Sequence, residues 1–143
     1  MTSIFGLTSC YYIQPSQSEP HAVVDFEKGS GFLNLKGTNF VILSLNGKRP
    51  ESWVPGVNST TWRIVPGVTQ IAANVWGSDR HQKGDARISF TAEQGRTYDV
   101  TAIEKPGSFD VSVTERNGKT VWRSEVMKSR YYHPTPIYIP AAS

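Results

Sequence analysis

Cysteine is almost missing from this sequence: Cys10 stands alone in 143 residues, so no internal disulfide can brace the fold. A lone thiol fits either a reducing compartment or a cysteine with another task. No run approaches the roughly 20 apolar residues that a membrane-spanning helix needs. Long segments with a 3.6-residue apolar period are also missing. Asn-Gly, Pro-Gly and Gly-rich breaks recur too often to permit them, which excludes a helical bundle. Charge is sparse, with only 19% Asp, Glu, Lys and Arg. The net charge of +3 is spread along the chain. The densest basic stretch is Arg116, Lys119, Arg123, Lys128 and Arg130, interrupted by Glu125. A nucleic-acid binder shows a stronger stripe with aromatics among the charges, so no nucleic acid is expected.

What is present favours strands. Thr, Ser, Val and aromatics stand where a helical protein would carry Ala, Leu, Glu and Lys. The 38% hydrophobic content is too high for a disordered chain. A chain of this size can bury roughly 68–70% of its unfolded surface, enough for one domain without a structural metal. Short apolar or alternating runs follow one another, each ended by a turn signal. They are Ala22–Phe26, Phe32–Lys36, Phe40–Leu45, Thr60–Val65, Thr69–Trp76, Arg87–Ala92, Thr97–Glu104, Phe109–Glu115 and Thr120–Val126. Phe40–Leu45 (FVILSL) is nearly all apolar, as a strand buried on both faces would be. Asn46-Gly47 and Asn117-Gly118 are hairpin turns, and residues 78–85 (SDRHQKGD) read as a polar loop. Alternation puts Phe109, Val111 and Val113 on one face, with Asp110, Ser112 and Thr114 opposite. The expected fold is all-β: a single antiparallel β-sandwich of about eight strands over residues 22–128, with extended N- and C-terminal arms.

The arms are residues 1–21 and 129–143. In the first, Leu7-Thr8-Ser9-Cys10 resembles the lipobox of bacterial lipoproteins. Small residues precede the cysteine there, a diacylglycerol is joined to its sulfur, and the preceding peptide is removed. The resemblance implies lipid attachment at Cys10 and a place in the bacterial cell envelope, at the outer membrane or elsewhere, with the domain in the periplasm. Contact with a membrane surface is then expected only through that lipid. The residues before Cys10 hold no Lys or Arg, and their apolar run, Ile4-Phe5-Gly6-Leu7, is shorter than the 7–15 residues of a signal peptide. The motif therefore rests on its four residues. Tyr11–Pro20 (YYIQPSQSEP) reads as an extended tether.

A second resemblance covers about residues 40–103. A strand (FVILSL) leads to Asn46-Gly47, then to Val65-Pro66-Gly67 and the strand Thr69-Gln70-Ile71-Ala72-Ala73-Asn74-Val75. Ala92-Glu93-Gln94-Gly95-Arg96-Thr97-Tyr98-Asp99-Val100 follows. This order is similar to PEGA-like small β-sandwich domains of bacterial envelope lipoproteins, where a Pro-Gly turn joins two strands. The resemblance implies a surface-tethered domain without catalysis and transfers no catalytic residue.

Candidates for chemistry are few. Among the histidines only His81 lies near acids, Asp79 and Asp85, and a solvated loop explains the group better than a metal or acid-base site. Gly29-Ser30-Gly31 is read as a turn. No enzyme, cofactor or metal is expected. The aromatics are the better lead. Trp53 lies in the Pro-Gly loop Pro50–Gly56, and Tyr131, Tyr132 and Tyr138 lie in a Pro-rich tail. These four are the candidate binding residues. Trp62, Trp76 and Trp122 are expected in the core. The leading expectation is a binding or structural module tethered through Cys10, with a protein or envelope component as partner. A virion or multi-subunit assembly protein that uses its arms for homo- or hetero-oligomeric contacts is the alternative, followed by a carbohydrate-binding module.

Overall fold

Strict alternation makes the long strands. Over Gly67–Trp76, Thr69, Ile71, Ala73 and Val75 are buried, while Val68 and Gln70 between them are exposed. The computed structural model describes residues 11–27, 37–50, 60–78 and 81–130. It holds ten strands: β1 (Tyr11–Tyr12), β2 (Ala22–Phe26), β3 (Asn39–Leu45), β4 (Arg49–Pro50), β5 (Thr61–Ile64), β6 (Gly67–Trp76), β7 (Gln82–Ala92), β8 (Thr97–Lys105), β9 (Ser108–Glu115) and β10 (Thr120–Arg130). No helix occurs among the described residues. The all-β class is therefore as expected.

Eight strands form one curled sheet in the order β3-β6-β7-β10-β9-β8-β2-β5, and β1 and β4 form a two-stranded parallel pair. Alternation alone implied two antiparallel sheets. The pairing differs in two respects. First, β10 belongs to both halves of one continuous sheet. Its residues 120–127 pair with β9, and Lys128–Arg130 pair with β7. Second, β2 pairs in parallel with β8, matching Val23–Phe26 to Thr97–Val100. That partner lies far along the chain, and no local turn signal can encode it.

One residue type explains how β7 and β10 meet. Gly84 is opposite Lys128 and is buried. A β-carbon on Gly84 would lie 2.7 Å from Val126 Cγ1 and 3.1 Å from Phe109 Cδ2. The missing side chain thus makes room for two core residues at the corner of the curl.

The inner surface collects Tyr98, Phe109, Leu45, Ile64, Ile71 and Ile88, all essentially without solvent contact. Each such side chain contributes roughly 1.5–3 kcal/mol relative to exposure. Phe90 meets Tyr98 with ring centroids 4.9 Å apart. Phe26 of β2 meets Phe40 of β3 at 5.6 Å, bringing opposite regions of the sheet order together. The Glu27 carboxylate clasps the same place, accepting bonds from the Thr38 hydroxyl (2.8 Å) and the Ala102 N–H (3.0 Å).

Several expectations are corrected. Phe40–Leu45 is not buried on both faces. It is the outer strand of the sheet, with Leu43 exposed beside a bulge between Ile42 and Ser44. Gln82–Asp85 is the first part of β7 rather than loop. Ser129 and Arg130 end β10 rather than beginning the tail. Tyr11–Pro15 is not a free tether, because Tyr12 and Pro15 are buried. The expected strand Phe32–Lys36 and the turn Gly29-Ser30-Gly31 lie outside the described residues.

Candidate functional site

The N-terminal strap is built first from two tyrosines. Tyr-Tyr-Ile is a short β-prone triplet, and it pairs with the residues after the β3 turn, Tyr11 with Arg49 and Tyr12 with Pro50. The Tyr12 ring then packs edge-on against Trp62, centroids 6.4 Å apart, and its hydroxyl donates to the Arg63 carbonyl at 3.0 Å. Burial pushes the Tyr12 phenol above its ordinary pKa of 10.0, opposed by a hydrogen bond with the Val65 backbone. Two further bonds continue the strap along β5. The Arg63 N–H donates to the Gln14 side-chain oxygen (2.8 Å), and Arg63 Nε donates to the Pro15 carbonyl (2.7 Å). The strap therefore lies along β5, the end strand of the sheet, while pairing with β4 beside β3 at the other end of the order. It covers the open edge of β5 and leaves fewer unpaired backbone groups there.

A groove of about 420 Å³ lies on the outer face of β3, β6 and β7. Register explains it. Ser44, Ala72 and Arg87 stand in one row across the three strands, with Gln70 and Ser89 in the next. Ala72 is the small member, and its neighbours and Gly47 form the walls. The Asn46 side chain accepts from the Gln70 N–H at 2.7 Å and fixes the β3–β4 turn above the groove. That turn uses left-handed backbone at Asn46 (φ 50°) and Gly47 (φ 82°), which Asn and Gly tolerate best. Arg87 is exposed at the rim and makes no ion pair among the described residues. The arrangement offers a guanidinium, two hydroxyls and an amide to a polar ligand.

The basic stretch at the C-terminal side is largely neutralised. Arg116 reaches Asp25 (2.9 Å) and Asp99 (2.6 Å), whose hydrogen bonds hold its guanidinium more firmly protonated. Arg123 pairs with Asp110, and that bond lowers the Asp110 pKa. Lys128 pairs with Glu104 at 2.8 Å and lies 5.1 Å from the Phe109 ring centre. The Lys128 hydrogen bond, against the opposing cost of burial, lowers the Glu104 pKa below 4.5, helped by the Ser78 N–H.

The candidate residues named from sequence fare unevenly. Cys10, Trp53, Tyr131, Tyr132, Tyr138 and Asp79 lie outside the described residues. Trp62 is in the core as expected, Trp122 packs partly against it, and Trp76 is half-buried on the outer face of β6. His81 is exposed, and no cluster of three metal-ligating side chains occurs among the described residues. The strap and the groove were missed. Their signals were present as the Tyr-Tyr-Ile triplet and as Ala72 between bulkier outward residues. Comparison with protein-family models, curated proteins and solved structures returns no match.

Proposed function

We propose that this chain is a binding or structural β-module without catalytic activity, held to a bacterial cell envelope through a lipid on Cys10. The observation that supports the anchor is the four-residue motif Leu7-Thr8-Ser9-Cys10, after which the described fold begins at once. Tyr11 follows Cys10 directly and is already paired with Arg49, and Tyr12 is buried against Trp62. A lipid on Cys10 would join the chain one residue before the segment that is held against β5. The lipobox-like Leu7-Thr8-Ser9-Cys10 supplies the chemistry. Among the described residues, the groove around Arg87 is a surface we assign to a partner.

The test is intact-mass analysis of the protein recovered from its own host, with Cys10→Ser alongside. The expected product begins at Cys10, carries a thioether-linked lipid and fractionates with membranes. Cys10→Ser is expected to lose both the lipid and the membrane association. A native chain with a free Cys10 thiol in the soluble fraction refutes the reading.

A further inference from the structure

We infer that the groove on the outer face of β3, β6 and β7 binds a sugar acid, a hydroxylated ring bearing a carboxylate, with Arg87 holding the carboxylate. The inference rests on the assignment of this groove to a partner and names the chemistry of that partner. It makes no use of Cys10. It follows from which polar side chains lack a counterpart among the described residues.

Across β8, β9 and β10, several facing polar side chains satisfy one another. Thr101 bonds to Ser112, Thr114 to Thr120, and Arg123 to Asp110. The groove differs. Ser44, Gln70, Arg87 and Ser89 line it, and their side chains make no hydrogen bond or ion pair among the described residues. Acids that Arg87 would meet first are engaged elsewhere. Asp85, two residues before it on the same strand, pairs with Lys83 at 2.8 Å. Glu125 of β10 accepts from the Ser108 hydroxyl at 3.0 Å. A guanidinium set among unpartnered hydroxyl and amide groups suits an anion that also carries hydroxyls.

Register sets the size of the ligand. Arg87 stands beside Ala72, and Ser89 beside Gln70. Neighbouring strands lie roughly 4.8 Å apart, and alternate residues of one strand roughly 6.7 Å apart. These four positions therefore frame a cell matching a single sugar ring. Ala72 is its apolar corner, open to the C–H face of a ring, and Ser44 stands on the other side of Ala72. Serine hydroxyls and the glutamine amide both donate and accept, as sugar hydroxyls do. The volume of about 420 Å³ suits a small molecule. The chemistry favours a carboxylate over a phosphate. One guanidinium balances one negative charge, and its planar fork matches two carboxylate oxygens. A phosphate site gathers more cations or a nest of free backbone N–H groups. Arg87 is the one cation among the described residues lining the groove, and β6 is laddered on both sides by β3 and β7.

The test titrates the isotopically labelled full chain with glucuronate and galacturonate, with glucose and galactose as neutral counterparts and inorganic phosphate as the second anion. Amide shifts of residues 70–72 and 87–89 are followed by NMR. At least one uronate is expected to shift those amides and to bind about tenfold or more tightly than its neutral sugar, the difference a charged hydrogen bond makes. Arg87→Gln, a change at an exposed position, is expected to abolish that difference. Ser89→Ala should weaken the uronate about threefold, and Lys119→Gln, a cation lost outside the groove, should leave it unchanged. Equal binding of uronate and neutral sugar overturns the inference, as does a uronate affinity that survives Arg87→Gln. Phosphate bound at these amides as tightly as the uronates overturns the sugar acid while keeping the groove a binding surface. No shift from any probe counts against the sugar acid and the groove together. None of these outcomes involves Cys10, which the mass analysis above decides separately.

Discussion

At the scale of the residue, two titratable groups tie stability to pH from opposite sides. Glu104 has a lowered pKa because Lys128 donates to it, so the folded state holds its carboxylate charged below 4.5. That contribution is complete above the unfolded pKa and disappears as pH falls through the lower folded value. Urea midpoints measured from neutral pH down to about 3 should fall, and the fall should be shallower in Glu104→Gln. Tyr12 acts in reverse. Its pKa is raised by burial, so its contribution is present below 10.0 and is lost as pH rises through the folded value. Tyr12→Phe should remove that alkaline sensitivity. At neutral pH it should cost about 1 kcal/mol by chemical denaturation, for the lost bond to the Arg63 carbonyl. Neither partner was legible beforehand. The period-two pattern marks which face a residue takes, and so Phe109, Val111 and Val113 fall on one face, which is the buried one. It carries nothing about which carboxylate a distant lysine will meet, because Glu104 and Lys128 are joined only after β8, β9 and β10 have paired.

At the scale of the element, turns were the most readable feature. Asn46-Gly47 and Asn117-Gly118 both sit at turns between strands, with positive φ at Asn46, Gly47 and Asn117. Tight turns announce themselves because few residues tolerate that backbone. Strand ends and strand neighbours were harder. Polar Gln82–Asp85 looked like loop, yet it extends β7 because β6 and β10 supply ladder partners for it. FVILSL looked like an interior strand, yet it lies at the rim, where a bulge turns Leu43 outward. Both departures are cases of tertiary pairing overriding local composition. Gly84 gives an element-scale test. Gly84→Ala places a methyl group against Val126 and Phe109, and it should destabilise by about 1–3 kcal/mol through overpacking where β7 meets β10. Gly84→Ala combined with Val126→Ala should recover part of that loss, since the second change vacates the space the first one needs. Thermal unfolding of the two variants and the native chain checks both statements.

At the scale of the whole molecule, a curled sheet must manage its two end strands, β3 and β5. The Glu27–Thr38–Ala102 clasp and the Phe26–Phe40 contact hold one end of the curl, and the strap serves the other. The strap's contribution is legible in its contacts, namely a buried tyrosine, an aromatic pair and three hydrogen bonds to Arg63. Removing residues 1–15 should therefore do more than shorten an arm. It bares the outer edge of β5 together with Trp62, and exposed strand edges recruit other chains. Loss of the buried Tyr12 side chain alone should cost about 3–5 kcal/mol, by analogy with large aromatic truncations in cores. The truncated chain is expected to unfold at lower urea and to associate at concentrations where the full chain scatters little light, read by denaturation and multi-angle scattering. Cys10→Ser, which leaves the strap in place, should match the full chain in both measurements. If the truncation behaves like Cys10→Ser, the strap is an appendage and the sheet closes without it. If it associates, then residues 11–15 and the closure of the fold are one element, and the contacts of Tyr12, Gln14 and Pro15 with β5 are part of what keeps that edge of the sheet covered.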